Sequence, residues 1–201
     1  MAFYIVKNTG FANNGFAYGE EKGKINTGNA IKCEECGSFL TMLEWLPPYE
    51  VKLSKGRLGD VVFGTYSHFL VSEKFKELYY NNRFTGILKF EPVRMYQKGR
   101  HIMEKYYYPK IVLSNVHVDI EKSGIVFAGT EECSTCQKAG RVIQQIKGLY
   151  FSDEANVEYD VFCTKILPAD ILFSKRLKNA TKDFLNLSVT EAETYVPSWI
   201  I

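Results

Sequence analysis

Four of the five cysteines fall into two C-x-x-C pairs, Cys33-Glu34-Glu35-Cys36 and Cys133-Ser134-Thr135-Cys136. Two residues between thiols let one turn present both sulfurs to one ion, and two such turns supply the four soft ligands of a tetrahedral structural zinc site. Gly37 follows the first pair and relieves crowding there; Gln137 stands at the corresponding place in the second. Cys33, Cys36, Cys133 and Cys136 are therefore expected to share one zinc ion, which requires the fold to close a gap of 96 residues. A closed set of four thiolates leaves no position for water, so this zinc would stabilise and not catalyse. Two other uses stay open: a redox or disulfide role, and thiols that hold nothing. The redox role fits less well, because a thioredoxin-like pair opens a helix after a strand and neither pair has that setting.

The remaining reactive side chains form no recognisable catalytic set. Cys163 sits in the strand-like run Phe162-Cys163-Thr164 and reads as a buried thiol, while His68, His101 and His117 stand in loop or polar-phase positions. No nucleophile elbow, zincin helix, Walker loop or dinucleotide fingerprint occurs, and the chain is not expected to be an enzyme. One basic-aromatic cluster remains, with Arg94, Lys98, Arg100 and Lys105 interleaved with Tyr96, Tyr106, Tyr107 and Tyr108. Such a cluster suits stacking on single-stranded nucleic acid, a solvated hairpin rim or the anchoring of a protein interface. Twenty-five Lys and Arg against 23 Asp and Glu leave a net charge of +2, too small to mark a polyanion binder. The reading is a protein-contact surface at Arg94, Tyr96, Arg100, Tyr106 and Tyr107.

The elements that must position these residues follow from a second spacing. Each C-x-x-C pair begins 27 positions before an aspartate, Asp60 and Asp160, and the pairs begin 100 positions apart. Behind Asp60 come apolar residues, Phe69-Leu70-Val71-Ser72 and the helical stretch Glu73 to Tyr80. Behind Asp160 come apolar residues, Ile171-Leu172-Phe173-Ser174 and the helical stretch Lys175 to Leu185. Ser72 and Ser174 are placed to cap these helices. Alternation at Leu88, Phe90 and Pro92, and again at Leu187 and Val189, predicts a strand after each helix, with Pro92 near an edge or an end. Strands are also expected at Tyr106–Leu113, Val116–Ile120 and Ile125–Ala128, and the stretch Lys7–Gly28 reads as a long loop.

The expected fold is α+β over 1–201 as a single compact domain. It consists of two similar halves from internal duplication, about 33–93 and 133–193. Each has a C-x-x-C knuckle, short antiparallel strands and one helix, and extra β-strands lie between them. A hydrophobic fraction of 46% is enough for such a core. Met1 to Gly10 offers no basic n-region or leader-like apolar core, and no apolar run approaches the roughly 20 residues that span a bilayer. The expectation is a cytoplasmic protein without a membrane partner.

The C-x-x-C-G knuckle, the downstream Asp60 and Asp160, the run Phe69-Leu70-Val71-Ser72-Glu73-Lys74-Phe75 and the segment Phe84-Thr85-Gly86-Ile87-Leu88-Lys89-Phe90-Glu91-Pro92-Val93 together resemble the double-CXXCG motif proteins. This is a bacterial family associated with immunity against polymorphic toxins. The likeness runs from about Cys33 to Tyr195 and departs at Gln137 and in the insertion from Tyr96 to Gly129. It implies that Cys33, Cys36, Cys133 and Cys136 are zinc ligands and that the partner is a cognate toxin protein, bound and blocked in the cytoplasm. A zinc-ribbon-like nucleic-acid-binding module is the alternative.

Overall fold

A computed structural model describes residues 2–7, 15–65, 69–152 and 157–197, so His68 lies outside the described residues. In chain order the elements are β1 (Phe3–Lys7), β2 (Gly19–Glu21), β3 (Glu50–Leu53), β4 (Val61–Val62), β5 (Leu70–Ser72), α1 (Glu73–Asn81) and β6 (Ile87–Gln97). There follow β7 (Arg100–His101), β8 (Tyr106–Ile111), β9 (Val126–Ala128), β10 (Val142–Gln145), β11 (Val161–Cys163), β12 (Ile171–Ser174), α2 (Lys175–Ala180) and β13 (Ser188–Glu191). The class is mixed α and β, mostly sheet with two helices.

Two sheets carry the fold. One runs β11-β12-β1-β13 and the other β2-β3-β6-β8-β5-β4 with β7 on the free part of β6; β9 and β10 form a separate hairpin. Within the larger sheet the stretch β4-β5-β8-β6 is antiparallel throughout, as is β11-β12-β1-β13. The two four-strand sets match place for place, with a capped helix between the second and fourth strands. The third place is filled across the molecule. β8 follows β6 in sequence yet lies beside β5, with Ser72 opposite Tyr106 and Val71 opposite Tyr107. β1 opens the chain yet lies beside β12, with Ser174 opposite Phe3 and Phe173 opposite Tyr4.

The helix caps form as their sequences predict. Ser72 Oγ accepts from Phe75 N–H at 3.4 Å, and Ser174 Oγ accepts from Leu177 N–H at 3.1 Å. α2 stops at Ala180, short of Leu185, because Thr181 turns its hydroxyl back onto the Leu177 carbonyl at 2.9 Å, competing with the next helical turn. The shorter helix offsets the two extra residues between Asp160 and Ser174, so that Asp160 to Leu185 spans the same 25 positions as Asp60 to Thr85.

Those positions tie the two sets together reciprocally. Asp60 and Val61 N–H donate to the Leu185 carbonyl at 2.9 and 3.3 Å, and Asp160 and Val161 N–H donate to the Thr85 carbonyl at 3.0 and 3.1 Å. In return Leu185 N–H donates to Asp60 Oδ2 at 2.8 Å and Thr85 N–H to Asp160 Oδ2 at 3.1 Å. Gly86 passes so close to Val161 that a Cβ there would sit 1.8 Å from its carbonyl oxygen, at a φ of +105°. Between these ties Phe75, Phe173, Leu177 and Phe184 share one apolar cluster, with Phe75 meeting Phe184 at 6.0 Å and Phe173 at 6.4 Å between ring centroids.

Three expectations change. Val116–Ile120 is not a strand: Val118 makes only an isolated bridge to Phe151, because its N–H and carbonyl are both taken by the Gln137 side chain. The stretch Lys7–Gly28 contains β2, whose Gly19 leaves room for Thr65 and Val51, each 2.8 Å from where a Cβ would be. Residues 8–14 of it lie outside the described residues. Finally, β3 and β6 pair in parallel, from Glu50 opposite Arg94 to Leu53 opposite Gln97. Pro92 precedes that pairing, so its missing N–H has no β3 carbonyl to meet.

Candidate metal centre

Each cysteine pair lies on a short hydrogen-bonded turn. Gly37 N–H donates to the Cys33 carbonyl and Gln137 N–H to the Cys133 carbonyl, both at 2.8 Å, which curls the chain so that both thiols of a pair face one way. Gly37 has φ +72° and Gln137 φ +61°. A left-handed backbone costs a residue with a Cβ about 1 kcal/mol. The Gln137 side chain offsets that cost by accepting from Val118 N–H at 2.9 Å and donating to the Val118 carbonyl at 2.7 Å. This is the physical reason the second knuckle departs from the C-x-x-C-G pattern. Gln137→Ala should keep the strain and lose both bonds, at a cost of about 1–3 kcal/mol. Gln137→Gly should cost less because it removes the strain. Urea unfolding of both variants, with metal content measured alongside, checks this.

The two knuckles meet. Cys33 Sγ lies 3.6 Å from Cys133 Sγ and Cys36 Sγ lies 3.6 Å from Cys136 Sγ, so like positions of the two pairs face each other. All four sulfurs lie within 4.8 Å of one another. Bonds of about 2.3 Å from one tetrahedral ion would set sulfurs about 3.8 Å apart, so the donor set fits a metal of that size. Cys33, Cys133 and Cys136 are buried, with Leu40, Leu113 and Ala139 packed around them, and Cys36 is exposed. Four thiolates select soft cations.

The surroundings bias the thiols differently. The Ser38 hydroxyl and backbone beside Cys36 bring its thiol down to about 6, whereas burial pushes Cys133 up to about 12. Ala139 N–H donates to Cys136 Sγ at 3.3 Å, a bond that favours a thiolate. Glu35, between the first two cysteines, crosses to the second knuckle and accepts from Thr135 N–H and Ser134 Oγ, each at 3.2 Å. The Thr135 contact, then those of Cys133 and Ser134, hold its carboxyl at about 2. Glu35 is thus a further residue of the site, and an acidic side chain between two ligands is its signal in the sequence.

A family model described as the immunity protein family Imm11 matches residues 24–193. The chain belongs to the Imm11 immunity protein family. Membership implies a toxin as partner and a neutralising role in general. The Imm11 match takes in all four clustered cysteines together with Asp60 and Asp160, and leaves β1 outside. No curated protein matches the chain. Among the described residues no helix is long and apolar enough to cross a membrane.

The expected contact residues separate in the structure. Arg94, Tyr96 and Arg100 lie on β6 and β7, with Arg94 and Arg100 exposed and Tyr96 half-buried. Tyr106 and Tyr107 instead point inward from β8 and are buried. Tyr106 donates its hydroxyl to the Gly59 carbonyl, and burial pushes the phenol up to about 12. Tyr107 donates to Glu73 and carries Lys76 Nζ 4.1 Å over its ring. Both are buried because successive side chains of β8 face opposite sides of the larger sheet and each side is covered, Tyr106 by the cluster of Trp45, Val51 and Met95 and Tyr107 by that of Phe75 and Phe90. His117 is exposed, and Cys163 is buried, its thiol pushed up to about 12 by that burial.

Proposed function

We propose that this protein is a cytoplasmic immunity protein that binds a cognate bacterial toxin and neutralises it stoichiometrically and without turnover. Membership of an immunity family carries the reading. The convergence of Cys33, Cys36, Cys133 and Cys136 supports a single structural zinc whose coordination is closed by protein ligands. That metal would hold the knuckles of residues 33–36 and 133–136 together and take no part in a reaction. The buried, weakly acidic Cys163 supports a role without covalent chemistry.

The chain is further read as one domain over 1–201 made of two copies, about 33–93 and 133–193. The matching strand orders, the two serine caps and the reciprocal bonds of Asp60 and Asp160 support this reading.

Co-expression with the toxin domain encoded by the neighbouring upstream gene tests the function. Cells should survive only when this chain is at least equimolar with the toxin, and the two should co-purify one to one. Protection by a small fraction of an equivalent would indicate turnover, and a lethal, unbound toxin would remove the immunity reading.

A further inference from the structure

The outward face of the sheet made by β2, β3, β6 and β7 has a surface composition that the fold does not explain. Register places Glu20, Lys52, Tyr96 and His101 in one row across the four strands. In the adjacent row Lys22 follows β2 and bonds the Glu50 carbonyl through its N–H at 2.9 Å, and Glu50 pairs with Arg94. Beyond β7, Met103 continues this edge with 83% of its surface exposed. The alternate phase, Val51, Leu53 and Met95, is buried in a separate apolar cluster on the other side. Parallel pairs such as β3 and β6 are ordinarily covered on both faces. Here α1 packs beside β5, and α2 beside β12 and β1, while Lys22, Lys52, Arg94, His101 and Met103 remain exposed.

Tyr96 is fixed at the centre of this face. Its hydroxyl donates to Glu50 Oε1 at 3.0 Å, Lys22 Nζ lies 3.6 Å over its ring, and the His101 ring meets it edge-on at 5.6 Å. An aromatic ring held before binding loses little freedom on binding, the property that makes Tyr a frequent anchor of interfaces. Around it stand Lys22, Lys52 and Arg94, with Lys98 and Arg100 at the rim, against Glu20 and Glu50. Glu50 is already engaged by Tyr96 and lies 4.0 Å from Arg94. Two carboxylates among the cations would repel a phosphate backbone, whereas a protein surface can place its own charges to suit both signs.

We propose that this face is the toxin-docking surface, and that it takes a toxin patch whose carboxylates surround an apolar centre seated on Tyr96 and Met103. The proposal rests on the immunity reading and adds the face and the chemistry of its partner. It retains Arg94, Tyr96 and Arg100 from the expected contact set and brings in Lys22, Lys52, His101 and Met103.

Titration calorimetry of the upstream-encoded toxin domain with the purified zinc-loaded chain tests it. Tyr96→Ala, Arg94→Glu and Met103→Asp should each weaken binding by about tenfold to a hundredfold, while Lys182→Glu, away from the face on the segment after α2, should not. Met103 is so exposed that its variant keeps the fold, and zinc content and thermal midpoint serve as controls. If the unaltered chain binds the toxin and all three face variants bind equally well, the docking surface is elsewhere and the immunity reading stands. If the unaltered chain does not bind the toxin, both fall. Binding of a fluorescent single-stranded RNA that is lost in Tyr96→Ala and Arg94→Glu would reassign the face to nucleic acid.

Discussion

Cys33→Ser, or Cys136→Ser, is expected to take the metal content from about one zinc per chain to nearly none and to unfold both knuckles. The knuckles have little else to hold them. Their apolar cluster consists of Cys33, Leu40, Cys133 and Cys136 with Leu113 and Ala139 alongside, too small to order the surrounding loops without a cross-link. A structural zinc contributes on the order of 10 kcal/mol in isolated zinc domains. Here the large sheets fold around separate clusters, so the loss should be local. Amide exchange should rise by orders of magnitude at Lys32–Leu40 and Ser134–Arg141 while β5, β8 and β12 keep their protection. A strong chelator should reproduce the effect in the unaltered chain, and added zinc should reverse it. Elemental analysis finding no zinc in protein made with zinc available, or exchange unchanged by chelation, would refute the structural-metal reading.

Asp160→Ala should destabilise the fold by about 1–3 kcal/mol. The carboxylate is nearly buried and accepts from Thr85 N–H, Ser174 Oγ at 2.7 Å, and Arg176 Nε and Nη2 at 3.1 and 2.5 Å. Removing it strands three groups at the joint between the two strand sets. Asp60→Ala should cost less, because its cation, Lys74 at 3.2 Å, makes one contact where Arg176 makes two. Burial alone would raise the pKa of Asp160, but Arg176, Ser174 and Thr85 outweigh it and hold the group below the usual carboxylate value. A lowered folded value means that this stability is fully present above about pH 4 and is lost as pH falls through the folded value. Urea midpoints measured from pH 6 to pH 2 should therefore fall more steeply for the unaltered chain than for Asp160→Asn. Equal slopes would show that the ion pair contributes nothing.

The parts of this fold legible in the sequence are those fixed by short-range chemistry. The C-x-x-C spacing, the serines before α1 and α2, and the alternation after each helix all depend on neighbours within a few residues. The common step to Asp60 and Asp160 carried more, since those carboxylates bond the segments that follow the opposite helix. Even the cations were readable, as Lys74 and Arg176 each stand two places after a cap serine. Where tertiary partners decide, the sequence misleads. The alternation at Val116–Ile120 has the period of a strand, but one glutamine side chain occupies the main-chain groups of Val118. Tyr106 and Tyr107 sit among basic residues and read as surface, yet both faces of their strand are covered, one by the cluster around Trp45 and the other by that around Phe75. Tyr96, from the same cluster, does lie on the open face because its strand phase is opposite to that of Met95.

The crossing of β1 and β8 constrains how the protein can be made. β1 is synthesised well before its partners, Leu172–Ser174 on one side and Ser188–Glu191 on the other, and must wait for both. The β4-β5-β8-β6 set needs nothing beyond Ile111 and can assemble during synthesis, although its ties to Leu185 come later. Closing so long a loop costs entropy that no local contact returns, and such pairings form late. A chain interrupted before Leu172 therefore has an unpaired, apolar β1, a ready template for misassociation. Only a chain translated past Glu191 can bury both of its edges.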